Sequence, residues 1–324
     1  MKNFHLLAGL VAAATLAVSA HAQTSAPGQP LHLVVPFAPG GAQDVIGRFI
    51  GNKLAPRLGV PVVVDNKAGA GGVIAADYVS KAQPDGNTVL LATGGAITIA
   101  PHLNSKLAYD PHKDFASVAL LADTPMTFAV RAQSPYSSIA DVIKDAKANP
   151  GKVSFASTGN GTISHLTGEL FAQTVGIKLI HVPYRGAAPA ITDLMGGQVA
   201  AMVTSSASIE PMAAEKKARV LGTFTAKPLA NLPGVPTMDE ATGAKNLEVP
   251  VWVGVLAPAK TPSAAIEKLA KEIDAICREP ETQERFKSLG ALVTCGGPKE
   301  LAKVIADDDA RWGKVITQGG IKTE

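Results

Sequence analysis

The stretch LVVPFAPGGAQDVIGRF, residues 33–49, decides how the chain is read. An apolar strand over 31–37 runs into a Pro-Gly-Gly turn, and a helical pattern follows with Asp44 near its start. Gly-rich turns between a strand and a helix often hold phosphate, but this one has neither the G-x-G-x-x-G spacing nor a Lys-Ser/Thr pair. Glycine still lets the backbone approach a ligand closely. A helix N-terminus adds unpaired N–H groups and partial positive charge. Together they make an anion site that needs no Lys or Arg. Taken alone, a Pro-Gly-Gly turn is only a turn. Asp44 reads first as a cap or a charge on the helix dipole, ahead of any ligand contact.

Outward from this stretch the pattern repeats. Strands at 60–66 and 87–95 alternate with a helix inside 70–86, which a Pro-Asp-Gly turn closes. Near-continuous apolar strands separated by helices imply a parallel sheet covered on both faces. The pattern restarts at a helix over 138–149, stopped by Pro150-Gly151. Strands at 153–157, 178–184, 199–205 and 220–225 then alternate with helices in 164–176 and 188–198. The tail differs: 228–243 is rich in Pro and turns, 249–258 is apolar and extended, and helices are expected over 263–277, 281–289 and 298–317. A tail of helices builds no sheet core of its own, so it is expected to return to the first unit. The division is then 23–124 plus 227–324 for one lobe and 125–226 for the other. Crossings near 123–125 and 225–228 leave a cleft that opens and shuts.

Composition narrows the function. The 324 residues suffice for two domains, and 46% apolar content supports sizeable cores. A net charge of only +3, scattered along the chain, excludes the basic stripe of a nucleic-acid binder. Aromatics at 5% argue against a stacking surface for sugars or bases. The opening MKNFHLLAGLVAAATLAVSAHAQ carries a Lys, a short apolar run and Ala20-His21-Ala22 before Gln23. It reads as a signal peptide, 1–22, cleaved after Ala22, so the mature chain is expected to be exported and soluble. Two cysteines, Cys277 and Cys295, are no metal site; in an exported chain they stand either as a disulfide or as two buried thiols.

Three strand ends point chemistry at one place: PFAPGGAQD, ATGGAIT and ASTGNGTISH. In open α/β sheets, ligands bind beyond the carboxyl ends of the strands. Hydroxyl and amide groups crowd the third turn at Ser157, Thr158, Asn160, Thr162 and Ser164, and they suit carboxylate oxygens directly or through water. His165, just inside a helix, reads as a packed histidine before a catalyst. Ser205-Ser206 read equally as N-caps or ligand donors. No Walker A sequence, G-x-S-x-G elbow, H-E-x-x-H or Cys/His cluster occurs, so no enzyme and no cofactor or metal is expected.

The chain resembles the solute receptors of the tripartite tricarboxylate transporters, the Bug family of bacterial periplasmic binding proteins. The residues that carry the resemblance are LVVPFAPGGAQDVIGRFI, GVPVVVDNKAGAGGVIAADYVSKAQPDGNTVLLAT, YDPHKDFASVALLADTP, ASTGNGTISHLTGELF, HVPYRGAAPAITDLMGGQV, LPGVPTMDE, VWVGVLAPAKTP and RWGKVI, in the family's order over essentially the whole mature chain. The resemblance implies a two-lobed, type II Venus-flytrap fold, each lobe a mostly parallel sheet flanked by helices. It implies capture of a small carboxylate between the lobes by a periplasmic monomer, and delivery to a tripartite membrane transporter. Carried over, the first-lobe site is Pro39, Gly40, Gly41 and Gln43, with Gly94 and Gly95 nearby. The second-lobe site is Ser157, Thr158, Gly159, Gly161, Thr162 and His165, with Ser205 and Ser206 at its far side. Gln43 departs from the small hydroxyl residue frequent there; Thr162 keeps a hydroxyl and Arg185 keeps a charge. The alternatives are a ligand sensor feeding a signalling partner and a secreted α/β enzyme acting on a small acid.

Overall fold

The computed structural model describes residues 28–40 and 42–321. The expected signal peptide and Gly41 of the opening turn lie outside the described residues. β1 (Leu31–Val35) leads through the Pro-Gly-Gly turn to α1 (Ala42–Leu58). β2 (Val62–Asn66) leads to a 3-10 turn and α2 (Val73–Ser80). β3 (Thr88–Ala92) leads to a π-helical turn (Gly95–Ile99) and α3 (Ala100–Leu103), and β4 (Phe115–Asp123) follows. The second unit runs β5 (Met126–Arg131), α4 (Ile139–Ala148), β6 (Ser154–Ser157), α5 (Ile163–Val175), β7 (Ile180–Pro183), α6 (Ala187–Gly196), β8 (Ala201–Ser205), α7 (Ser206–Ala214) and β9 (Ala218–Thr223). After it come α8 (Met238–Thr242), β10 (Trp252–Pro258), α9 (Ser263–Cys277), α10 (Pro280–Ser288), β11 (Leu292–Gly296) and α11 (Pro298–Gly319).

Among the described residues the strands form two sheets, in the orders β11-β4-β10-β3-β1-β2 and β7-β6-β8-β5-β9. Both sheets are mixed. Parallel ladders join β1 to β2 and β3, and β6 to β7 and β8, as the strand–helix–strand units require. β10 enters antiparallel between β3 and β4, β11 pairs antiparallel with β4, and β5 pairs antiparallel with β8 and β9. Direction is not written in an apolar run: β10 is buried along its whole length and reads like any central strand. Helices cover both faces of each sheet. Leu33, Leu91, Ile46 and Phe286 fill one side of the first sheet, and Val34, Leu90, Val79 and Trp252 the other. Phe128, Phe155 and Phe171 centre one side of the second sheet, and Met202, Leu194 and Ile209 the other. Each such side chain contributes about 1.5–3 kcal/mol by leaving water.

Besides the mixed sheets, where mostly parallel ones were expected, two features differ from expectation. The tail is not wholly helical: β10 and β11 both join the first sheet, and the disulfide between Cys277 and Cys295 ties the end of α9 to β11 with Cα atoms 5.8 Å apart. The return crossing lies beyond 225–228. Leu229 and Leu232 are buried against the second sheet, and Thr237, the N-cap of α8, bridges to Thr223. The expected division puts that Pro- and turn-rich stretch in the first lobe, but its leucines pack it on the second. The chain crosses back at 249–251: Val249 N–H donates to Phe224 O, and Thr124 N–H donates to Val251 O at 2.9 Å. Val251 N–H donates to Asp123 Oδ1 at 2.6 Å. The two crossing segments therefore lie side by side. α11 is a third bridge. Leu301 in its first half is buried with the first lobe, and Trp312, Val315 and Ile316 are buried in the core of the second.

Candidate ligand-binding site

A cavity of about 470 Å³ opens between Gly40 and Val45 of the first lobe, Ala207, Ser208, Glu210 and Pro211 of α7, and Gly290 after α10. The lobes touch closely at its floor. Ser206, fully buried, donates from Oγ to Gly290 O at 3.0 Å, and its N–H donates to Pro125 O at 2.8 Å. A Cβ on Gly290 would lie 2.9 Å from the Ala207 nitrogen, so only glycine fits.

On the first-lobe turn, Pro39 and Gly40 are exposed and Gln43 is half-buried. Gly40 takes φ +87°, and its N–H donates to Asp44 Oδ2 at 2.9 Å. Asp44 is buried and also accepts from Arg48 Nε at 3.0 Å and Asn66 Nδ2 at 2.8 Å. Burial pushes its carboxyl up, but the hydrogen bonds from Arg48, Gly40 N–H and Asn66 outweigh that and hold it below the usual carboxylate range. Asp44 is thus a fixed anion that ties the turn to α1 and β2. Gly94 and Gly95 are buried. A Cβ on Gly94 would lie 2.8 Å from Asp308 Oδ2 and 3.3 Å from Ile163 Cδ1 of the second lobe; one on Gly95 would lie 2.6 Å from Gly71 O. Gly95 admits the Gly71 backbone, and Gly94 admits side chains at the point where α5 meets the first lobe.

The second-lobe turn is bonded to its own side chains. Thr158 N–H donates to Ser164 Oγ and Gly159 N–H to Ser157 Oγ, each at 3.1 Å. Thr162 Oγ1 donates to Gly159 O at 2.7 Å and caps α5. Gly161, at φ +68°, donates its N–H to His165 Nδ1 at 3.3 Å. His165 stacks on His181 with ring centroids 3.7 Å apart and planes 9° apart, and His181 Nε2 lies 2.6 Å from Ser157 Oγ. Burial holds His165 down at about 4. Burial, and next the neighbouring His165, hold His181 down at about 3. Both rings are neutral near pH 7. At the far side, Ser205 precedes α7 and its Oγ pairs with Ser208 Oγ at 2.9 Å.

The structure therefore brings Gly40 and the residues just after Ser205-Ser206 to one cavity. The 157–165 turn lies on the neighbouring strand β6 and meets the first lobe at Gly94 through Ile163. Sequence reading passed over His181 and Gly290. His181 reaches the turn because β7 pairs with β6 in the register Phe155↔His181, which no local pattern reveals. Among the described residues no group of His, Cys, Asp and Glu side chains is arranged to hold a metal.

Comparison with known proteins places these features. The model of the tripartite tricarboxylate transporter family receptor matches residues 46–321. The solved structure of periplasmic binding protein BugD is similar at a TM-score of 0.83, with 36% identity, over 92% of this chain and 100% of that one. Rpa4515 of R. palustris, solved with adipate, is similar at a TM-score of 0.84, with 32% identity, over 91% and 99%. MatC of Rhodopseudomonas palustris, solved with bound malate, is similar at a TM-score of 0.81, with 32% identity, over 90% and 100%.

Proposed function

The chain belongs to the tripartite tricarboxylate transporter receptor family, and from that membership we propose that it captures a small carboxylate between its lobes and delivers it to a membrane transporter of the tripartite type. The observation that carries this reading is the pair of glycine turns, one on each lobe, with Gly40 and Gly161 at positive φ and a backbone N–H at a helix start. A site split between two lobes joined by crossing segments closes on its ligand. The cavity beside the Gly40 turn, between the first lobe and α7, is of a size for a small acid. Relatives of the same fold were solved with adipate and malate, which supports a small dicarboxylate or a close analogue as the ligand.

In this reading Pro39, Gly40, Gly41 and Gln43 offer the first-lobe contacts, with Gly94 and Gly95 shaping the turn behind them. Ser157, Thr158, Gly159, Gly161, Thr162 and His165 offer the second-lobe contacts, and Ser205 and Ser206 close the far side. The signal peptide ends at Ala22, and the mature protein works as a monomer in the periplasm. It returns its acid unchanged. The test is a thermal-shift screen of the mature protein against malate, adipate, citrate, glutamate, benzoate and nicotinate. An acid at a hundredfold excess over its dissociation constant adds about 2.7 kcal/mol, which raises the melting temperature by about 5 °C. Mass spectrometry then recovers that acid intact. No shift with any acid, or steady conversion of one, overturns the proposal.

A further inference from the structure

The two glycine turns share a device: in each, a glycine N–H donates to the side chain four residues on. Gly40 donates to Asp44, and Gly161 donates to His165. The acceptors are not equivalent. Asp44 is charged, buried and held by Arg48 and Asn66, so it keeps the Gly40 N–H, and the first-lobe turn meets the acid with its other groups. His165 is neutral, and its bond from Gly161 is long at 3.3 Å. The N–H groups of Thr158 and Gly159 end on anchored hydroxyls, and that of Thr162 on the Gly159 carbonyl. Ser164 Oγ itself donates to Val203 O at 2.5 Å, and Ser157 Oγ lies against His181. Gly161 is the one of these four whose acceptor is a neutral ring nitrogen.

We infer that His165 is a stand-in for the ligand: its Nδ1 occupies the Gly161 N–H in the empty protein and yields it to a carboxylate oxygen when the acid enters. This rests on the carboxylate reading given above. The exchange replaces a long neutral hydrogen bond with a charge-assisted one, which is shorter and about twice as strong. The displaced imidazole keeps its stack on His181 and has Glu169 Oε1 3.8 Å from Nε2 as a second neighbour. His165 therefore holds the turn in shape while the site is empty, at a cost in affinity that is returned to the structure. An ordinary helix cap would hold the turn too, but it would not compete with the acid.

The test uses the mature wild type and His165→Phe, which keeps a flat ring on His181 and removes the acceptor. Both are titrated by calorimetry with malate, adipate, citrate, glutamate, benzoate and nicotinate. The variant is expected to melt lower and yet bind the responding acid about three- to tenfold more tightly, the worth of one hydrogen bond no longer competed for. Equal or weaker binding by the folded variant overturns the stand-in role. A second measurement serves if the variant does not fold. In uniformly 15N-labelled wild type, saturating acid is expected to move the Gly161 amide resonance and to shift His165 Nδ1 away from its hydrogen-bonded position. Acid binding that leaves both resonances in place overturns the stand-in role alone. If neither protein binds any of the acids, the carboxylate reading falls and the stand-in role falls with it.

Discussion

Gly40 and Gly161 are both glycines at positive φ before a helix, and the side chain that takes each N–H decides what the turn does. Asp44 is structural. Asp44→Ala is expected to cost about 2–3 kcal/mol in urea denaturation, because it strands the Gly40 N–H and the Arg48 and Asn66 donors. Its carboxyl is held low in the fold, so its stabilisation is present above the ordinary carboxylate value and is lost as pH falls through the lowered one. The helix-start position made this role legible in the sequence. The role of His165 was only half legible, since its partner His181 arrives through strand register. Its sign in pH is the opposite of a paired histidine. The unfolded chain protonates His165 near pH 6.5 and the folded chain only near 4, so stability falls as pH drops through that window. At pH 4.5 the loss from His165 is about 2 kcal/mol. Asp123, pushed up to about 6 chiefly by burial, works the other way across the same window. The reading is therefore the difference between wild type and His165→Phe. Melting temperatures taken from pH 7 to pH 4.5 are expected to fall less in the variant; parallel curves would contradict a buried neutral ring.

At the scale of elements, periodicity found what local chemistry writes. The helix after Ser138 was legible from its pattern and its Pro150-Gly151 stop; in the structure a Ser138–Asp141 capping box opens it, and Gly176 ends α5 in the left-handed conformation. The first-sheet strands β1 to β3 were legible from their apolar runs. What stayed hidden was set by distant partners. β11 is short, with Leu292 exposed, and it is a strand only because β4 lies beside it and the disulfide anchors it. α8 belongs to the second lobe because Met238 is fully buried there, although its flanks are rich in Pro and Gly. The disulfide closes a short loop between Cys277 and Cys295, so replacing both cysteines by serine is expected to lower stability by about 3 kcal/mol. Guanidinium denaturation of the oxidised wild type and the double variant checks this; matched midpoints would mean that packing alone holds β11 in place.

At the scale of the molecule, the fold is two mixed sheets with three bridges: the paired segments at 124 and 251, and α11, whose Trp312 is fully buried in the second lobe's core. Closure in the proposed reading bends the two crossings and requires α11, packed in both lobes, to shift against one of them. The binding acid is therefore expected to reduce the radius of gyration in small-angle scattering; an unchanged curve at saturation would contradict closure. The two-lobed plan was legible from the repeated strand–helix pattern and the resemblance of whole blocks. The return at 249–251 was not, because buried leucines, rather than composition, hold the linker to its lobe. The central claim is that an acid sits against the Gly161 N–H, and one comparison reaches it most directly. Gly161→Asp and Gly161→Asn share shape and both tolerate the positive φ found there, so they differ only in charge. Two unit charges ~4 Å apart repel by ~4 kcal/mol at an effective dielectric near 20. By calorimetry with the acid that wild type binds, folded Gly161→Asp is expected to bind more than tenfold more weakly than folded Gly161→Asn. Equal affinity of the two variants would place the acid elsewhere.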